Sequence, residues 1–166
     1  MAHGIIRTDL MAGTDVGTHL VSLQYYVNTT KTAIDNGNVV LVGDLINGER
    51  EVHKATAPAA NSSLDAIAIV ATPEVMYDQR YKNLRDFYNE AGKVIRGYRL
   101  HKHDIFSVTK DALDGAATPA VGNVVELKAG TKLNVVVSAT NGSTVVGKII
   151  AVDIVGKDTY YAIRVA

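Results

Sequence analysis

The sequence predicts a mainly β fold, a β-rich α+β domain with one helix. Three observations point there. Apolar residues recur with period two along most of the chain, turn residues interrupt them at short intervals, and only one segment repeats its apolar positions at helical spacing. The expected architecture is an antiparallel C-terminal meander or small barrel, an N-terminal β segment, and one amphipathic helix between them. With 166 residues the chain fits a single domain. It divides into an N-terminal arm over 1–18 and a β-rich body over 19–166, whose sub-lobes 19–72 and 93–166 are joined by a helix over 73–91.

Residues 19–27 are rich in β-branched and aromatic side chains and read as the first strand. Asn36-Gly37-Asn38 makes a turn before a strand at 39–42, and Ile46-Asn47-Gly48-Glu49 makes another before the alternating 51–55. A loop of small residues follows at 57–63. The continuous apolar run 66–71 has the pattern of a strand covered on both faces. Thr72-Pro73-Glu74 then carries helix-start signals: an N-capping hydroxyl, a proline suited to the first helical position, and an acid at the positive end of the dipole. At helical spacing Tyr77, Tyr81, Leu84, Phe87, Tyr88 and Ala91 share a face, opposite Asp78, Lys82, Arg85, Asp86 and Glu90, with Gly92 as the stop. The aromatic stripe is expected in the core, with Leu84 and Phe87 packed and Arg85 and Tyr88 at an edge that reaches a partner.

In the last third, residues 122–127 turn at Lys128-Ala129-Gly130-Thr131 into 132–137. Asn141-Gly142 is a strong hairpin signal, because both residues accept positive φ. A long strand follows at 145–155, in which Gly147 marks a bend or bulge, and Gly156-Lys157-Asp158 turns into 159–165.

Several function classes lose support at once. Lys+Arg and Asp+Glu both number 17, so the net charge is zero and gives no electrostatic basis for binding nucleic acid. The absence of cysteine excludes disulfides, thiolate zinc sites and a cysteine nucleophile. No stretch approaches the roughly 20 apolar residues of a membrane span. The start lacks a basic region followed by an apolar core, so a product made in the cytoplasm without a secretory signal is expected. No P-loop, dinucleotide fingerprint or nucleophile elbow is present. His101-Lys102-His103-Asp104 offers three metal-ligating side chains, but in an extended chain the histidines face one way and Asp104 the other, with no third histidine or glutamate obviously linked. A solvated loop is the expectation there. Asp9, Asp15 and His19 have no spacing that would make them an acid–base set. The residues therefore assign no catalytic group, no cofactor and no metal ligand, and an enzyme is not expected.

The blocks Met1-Ala2-His3-Gly4-Ile5-Ile6-Arg7-Thr8-Asp9-Leu10, Ala33-Ile34-Asp35-Asn36-Gly37-Asn38-Val39-Val40 and Pro73-Glu74-Val75-Met76-Tyr77 resemble small structural proteins of tailed bacteriophages of Gram-positive, clostridia-like hosts. So do Asn89-Glu90-Ala91-Gly92-Lys93, Arg96-Gly97-Tyr98-Arg99-Leu100 and Asp104-Ile105-Phe106-Ser107-Val108-Thr109. These proteins are of the head-decoration or head-fibre type, and the resemblance spans nearly the whole chain. The C-terminal Gly122-Asn123-Val124-Val125-Glu126-Leu127 and Val146-Gly147-Lys148-Ile149-Ile150-Ala151-Val152 are similar to the β-barrel pattern of phage capsid cement proteins.

The resemblance implies a virion structural protein that binds the outside of the capsid shell and stabilises or decorates it. Its partner would be the major capsid protein, its arrangement a homo-oligomer or symmetric array, and its place the capsid exterior, with no nucleic acid or membrane involved. The alternative is another virion component, at the head–tail junction, the tail or a fibre attachment; a host ligand-binding β module or small hydrolase stands further off. No functional residue carries over from the resemblance. The residues themselves nominate His3, Ile5, Ile6, Arg7, Arg85 and Tyr88 as partner contacts. Residues 3–10 are short and apolar at Ile5-Ile6, and a Gly-rich hinge follows, which suits an arm adding a strand to a neighbour's sheet. Such an arm would be dispensable for folding of the body.

Overall fold

The structure, a computed structural model, describes residues 3–7, 19–78, 80 and 83–166. Strands β1 (Leu20–Val27), β2 (Thr30–Lys31), β3 (Val39–Leu45), β4 (Val52–Thr56), β5 (Ile67–Val70) and β6 (Ile95–Arg99) make one sheet, in the order β2-β1-β4-β3-β5-β6. β6 also pairs with β1, placing Ser22 opposite Arg96, so five of these strands close into a barrel and the two-residue β2 lies outside it. The second sheet contains β7 (Ile105–Thr109), β8 (Leu113–Gly115), β9 (Val124–Glu126), β10 (Leu133–Val136), β11 (Val145–Val155) and β12 (Asp158–Val165), in the order β7-β12-β11-β9-β10-β8. It curls as an open half-barrel. The mainly β class is as the sequence predicts, with the closed barrel in the N-terminal half.

Strand alternation explains why the two sheets form one body. In β5, Ala68 and Val70 join Leu23, Val40, Ala55 and Ile95 from the other four barrel strands in one apolar cluster. Ile67 and Ile69 point the opposite way and pack with Phe106, Val108, Leu133, Ile149 and Ile163 of the second sheet. All four β5 residues are buried, so the run 66–71 is covered on both faces as expected. Val39 and Val40 divide between the clusters in the same way. The boundary expected at residue 93 falls inside the barrel, because β6 closes it.

Among the described residues of 73–91 no α-helix is present, which corrects the sequence reading. Among the described residues of that stretch the one helical turn is a 3-10 turn at Leu84–Asp86; Tyr81 and Lys82 lie outside the described residues. The start signals serve other partners. The Thr72 N–H donates to Asn36 Oδ1 at 3.0 Å, and its hydroxyl accepts from the Arg96 N–H at 3.1 Å. Of the described stripe residues meant for the core, Tyr77 is 93% and Leu84 50% exposed, while Phe87 is half-buried. An amphipathic helix draws most of its stability from burying its apolar face. Here the barrel and the curled sheet already cover each other, and that face finds no surface to bury against.

The arm is corrected too. Of 1–18 the structure describes 3–7, and these run along the edge of β7: Ile6 bridges Val108, the Arg7 N–H donates to the Ser107 carbonyl at 2.9 Å, and the Thr109 N–H donates to the Ile5 carbonyl at 3.0 Å. The added strand belongs to this chain's own sheet and covers its edge. Ile5 and Ile6 are buried, Ile6 within the main core, so removing residues 1–10 opens that core. The expectation of an arm separate from the core is corrected: its Ile6 is part of that core.

The C-terminal strands pair antiparallel except β8 with β10, which run parallel, and β11 pairs with β9 rather than with β10. Asn141-Gly142 forms a turn, with Gly142 at φ 87°, inside a longer connection that crosses β9. The buried Glu126 carboxylate anchors this connection. It accepts from the Thr140 N–H at 2.8 Å, the Thr140 hydroxyl at 2.7 Å and the Asn134 amide at 3.0 Å. Gly147 lies at a register shift between β11 and β9, the bulge its sequence position indicates. A Cβ there would collide with the Arg164 carbonyl of β12.

Two expectations follow from these positions. Gly147→Ala forces backbone apart rather than a side-chain tip, and should destabilise by at least about 1–3 kcal/mol. An unchanged urea midpoint would show that the bulge absorbs the methyl group. At Glu126, burial raises the carboxyl pKa, but the Thr140 and Asn134 donors outweigh it and hold the pKa below its ordinary value. The depressed folded-state pKa contributes stability above the unfolded value of about 4.3, and that stability is lost as pH falls through the folded value. Glu126→Gln should therefore lower the urea midpoint at pH 7, with the difference from wild type shrinking at pH 3; a constant difference would contradict the assignment.

Candidate interaction surface

Loop 72–94 leaves the barrel after β5 and returns at β6, and one buried side chain ties both its ends. Asn36, 1% exposed in the turn before β3, donates from Nδ2 to the Thr72 carbonyl at 2.8 Å and to Glu74 Oε1 at 3.1 Å. Its Oδ1 accepts from the Thr72 N–H and, at 3.0 Å, from the Asn89 amide. Asn89 also donates to the Ile34 carbonyl at 3.0 Å, and Ile34 and Asn89 form an isolated antiparallel bridge.

Four of the six nominated residues meet beside this loop. The His3 ring stacks on Tyr88 with centroids 5.2 Å apart, His3 Nδ1 lies 2.8 Å from Asp35 Oδ1, and the His3 N–H donates to the Arg85 carbonyl at 3.3 Å. Arg85 reaches from the loop to the β11–β12 turn, where its Nε donates to Asp158 Oδ1 at 2.6 Å and a second guanidinium N–H reaches the same oxygen. The Arg7 guanidinium sits 5.6 Å from the centre of the Tyr160 ring. Burial pushes the Tyr160 hydroxyl above its ordinary pKa and Asp158 adds to this, while Arg7 and Arg85 oppose it. Ile5 and Ile6 are buried rather than exposed on this surface.

An open groove of about 600 Å³ runs along the loop, with Pro73, Met76, Tyr77, Phe87, Tyr88 and Val94 among its walls. Val75, Tyr77, Leu84 and Val94 are all exposed, and the β11–β12 tip adds Ile154 and Val155. Arg80 holds the Asp78 carboxyl below its ordinary pKa through a bidentate pair at the groove's rim. Sequence reasoning placed Tyr77 and Leu84 in the core, because their spacing matches a helix face. The signal for the surface was Asn36-Gly37-Asn38, read only as a turn.

Of the metal-type residues, Asp9 and Asp15 lie outside the described residues. His101 and Asp104 come together with His19, whereas His103 is not part of the group. Comparison with family models, with curated proteins and with solved structures found no match.

Asn36→Ala leaves the Thr72 N–H and the Asn89 amide without their acceptor. The expected loss is about 1–3 kcal/mol, together with faster tryptic cleavage at Arg85 and Lys93 under native conditions. A destabilised variant whose loop resists trypsin as well as wild type would show that Asn36 does not tether it.

Proposed function

We propose that this chain is a virion structural protein that binds the outside of a phage capsid shell and stabilises or decorates it. The observation that carries the proposal is the surface around loop 72–94: an uncovered set of aromatic and aliphatic side chains on a segment pinned at both ends to a double-sheet β body. Exposed apolar groups held in place by a rigid frame suit attachment to another protein surface, where aromatic anchors supply most of the affinity. An open groove of this kind presents area instead of enclosing a small substrate. The zero net charge allows dense packing of identical copies without mutual repulsion. Repetition over a symmetric shell multiplies a modest contact. The sequence resemblance to head-decoration and cement proteins points the same way.

Another virion component, at the head–tail junction, tail or fibre attachment, would use the same surface. Copy number separates the two. A decoration protein approaches the abundance of the major capsid protein, whereas a connector is present in about a dozen copies.

Tyr77→Ser and Leu84→Ser test the surface directly. Both side chains are solvent-exposed, so the stability of the free subunit should stay within about 0.5 kcal/mol of wild type. Binding to shells lacking this protein should weaken by about 30-fold for a hot-spot position, the equivalent of about 2 kcal/mol. Undiminished binding by the double variant would remove the surface from the proposal, and a large fall in melting temperature would return these residues to the core.

A further inference from the structure

The connection between barrel and curled sheet, residues 100–104, carries a second group of side chains. His101 and Asp104 meet His19, the residue immediately before β1, and one potential ligand atom from each lies within 4.8 Å of the others. The two imidazoles are stacked, with centroids 4.0 Å apart and planes inclined by 27°. His101 Nδ1 and Asp104 Oδ2 are 3.9 Å apart. From these positions we infer that His19, His101 and Asp104 form a binding site for a divalent transition metal, zinc in the first instance.

The frame of the site is fixed by backbone. The His101 N–H donates to Asp104 Oδ2 at 2.8 Å, holding the carboxylate beside the imidazole, and the Asp104 N–H donates back to the His101 carbonyl at 3.0 Å. The turn is tied to the end of β12, with the His103 N–H on the Val165 carbonyl at 3.1 Å and the Val165 N–H on the Asp104 carbonyl at 2.9 Å. His103 adopts φ 76°, and this left-handed residue lets the chain double back so that 101 and 104 converge. An extended strand would separate His101 from Asp104, which is why the sequence pattern argued against a site. A cleft of about 10 Å³, lined by His19, Leu100 and Asp104 among others, opens beside the group and is about the size of one water molecule's site.

Two imidazoles and one carboxylate select the metal class. Calcium and magnesium require mostly oxygen ligands, whereas zinc takes three protein ligands of this kind and completes its coordination with water. Ligand atoms around tetrahedral zinc stand about 3.3 Å apart, given bond lengths near 2.0–2.2 Å. Metal binding would therefore require the three ligand atoms, now within 4.8 Å of one another, to draw together. The His101 side chain is 51% exposed, so an ion has a path in. The bound metal would staple the start of β1 to the connection leading into the second sheet, joining segments about 80 residues apart in sequence.

The test is calorimetric titration of zinc chloride into the full chain without a histidine tag. One zinc per chain is expected, with a melting temperature that rises with zinc concentration. His19→Ala, His101→Ala and Asp104→Asn should each weaken binding at least about tenfold. Asp104→Asn retains an acceptor for the His101 N–H, which keeps the turn. His53→Ala, at a half-buried histidine on β4, and His103→Asn, which tolerates the left-handed backbone, should leave affinity unchanged. Cobalt in place of zinc should give the visible absorption of a four-coordinate site in the wild-type chain. No saturable binding, binding that survives His19→Ala, or equal loss in His53→Ala would overturn the assignment.

Discussion

The buried Asn36 side chain is the interaction on which the rest of the structure depends. Its turn is where the arm, the barrel, the exposed loop and the second sheet converge. The Gly37 N–H donates to the Val70 carbonyl and the Val70 N–H donates to the Asn38 carbonyl, both at 2.8 Å, which fixes the turn to β5. A Cβ at Gly4 would stand 2.8 Å from the Asn36 carbonyl, and one at Gly37 would stand 2.9 Å from Ala112 Cβ. Arm, turn and second sheet therefore approach to distances that only glycine permits, and Gly37 adopts φ 81° there as well. An amide side chain has donors and an acceptor on one rigid group, so Asn36 can serve both strands of the loop's neck at once. Because every polar atom of that amide is engaged away from water, losing it orphans several partners together.

Much of the fold was legible because its strands are decided locally. The β-branched and aromatic enrichment of β1 is a local signal, and the uniform apolar run of β5 follows from cover on both faces. Gly147 signalled its bulge for the same reason: the backbone of β12 approaches too closely for any side chain. What failed was everything set by tertiary competition. The segment 73–91 has capping residues, a helical stripe and a stopping glycine, but Thr72 bonds to Asn36 and Arg96, and no open sheet face remains for the stripe. Local propensity is a weak prior where packing decides. In the same way Ile5-Ile6 reads as a sticky exposed pair, and only the uncovered edge of β7 shows that the chain uses it for itself.

The candidate surface inherits these failures in an instructive form. Tyr77 and Leu84 were singled out for the right property, a concentration of aromatic and aliphatic side chains, and assigned the wrong side of the protein surface. His3, Arg85 and Tyr88 were nominated separately, from an arm and from a supposed helix edge. Their meeting depends on contacts between positions about 80 residues apart, which no periodicity encodes. Arg85 adds a third segment by bonding to Asp158 in the β11–β12 turn. The groups are polar links between elements that the core alone would not align, so the surface has a defined shape despite lying on a long loop.

Strand β12 relates the two features of interest. Its first residues, Asp158 and Tyr160, hold Arg85 and face Arg7 at the interaction surface. Its last strand residue, Val165, exchanges hydrogen bonds with the turn that carries His101 and Asp104. At about 3.3 Å per residue the strand separates these ends by roughly 23 Å. That exceeds the range over which substitutions ordinarily interact, so changes at one end should act independently of the other unless β12 itself is disturbed. β12 is also the strand between β7, which the arm covers, and the bulged β11. A metal clamped on 101–104 would thus stiffen the start of β1 and the route into the second sheet, leaving the apolar surface unchanged in shape. The proposed metal site would then have a structural meaning separate from the apolar surface. It would close the seam between barrel and curled sheet at the end of β12 opposite to that surface.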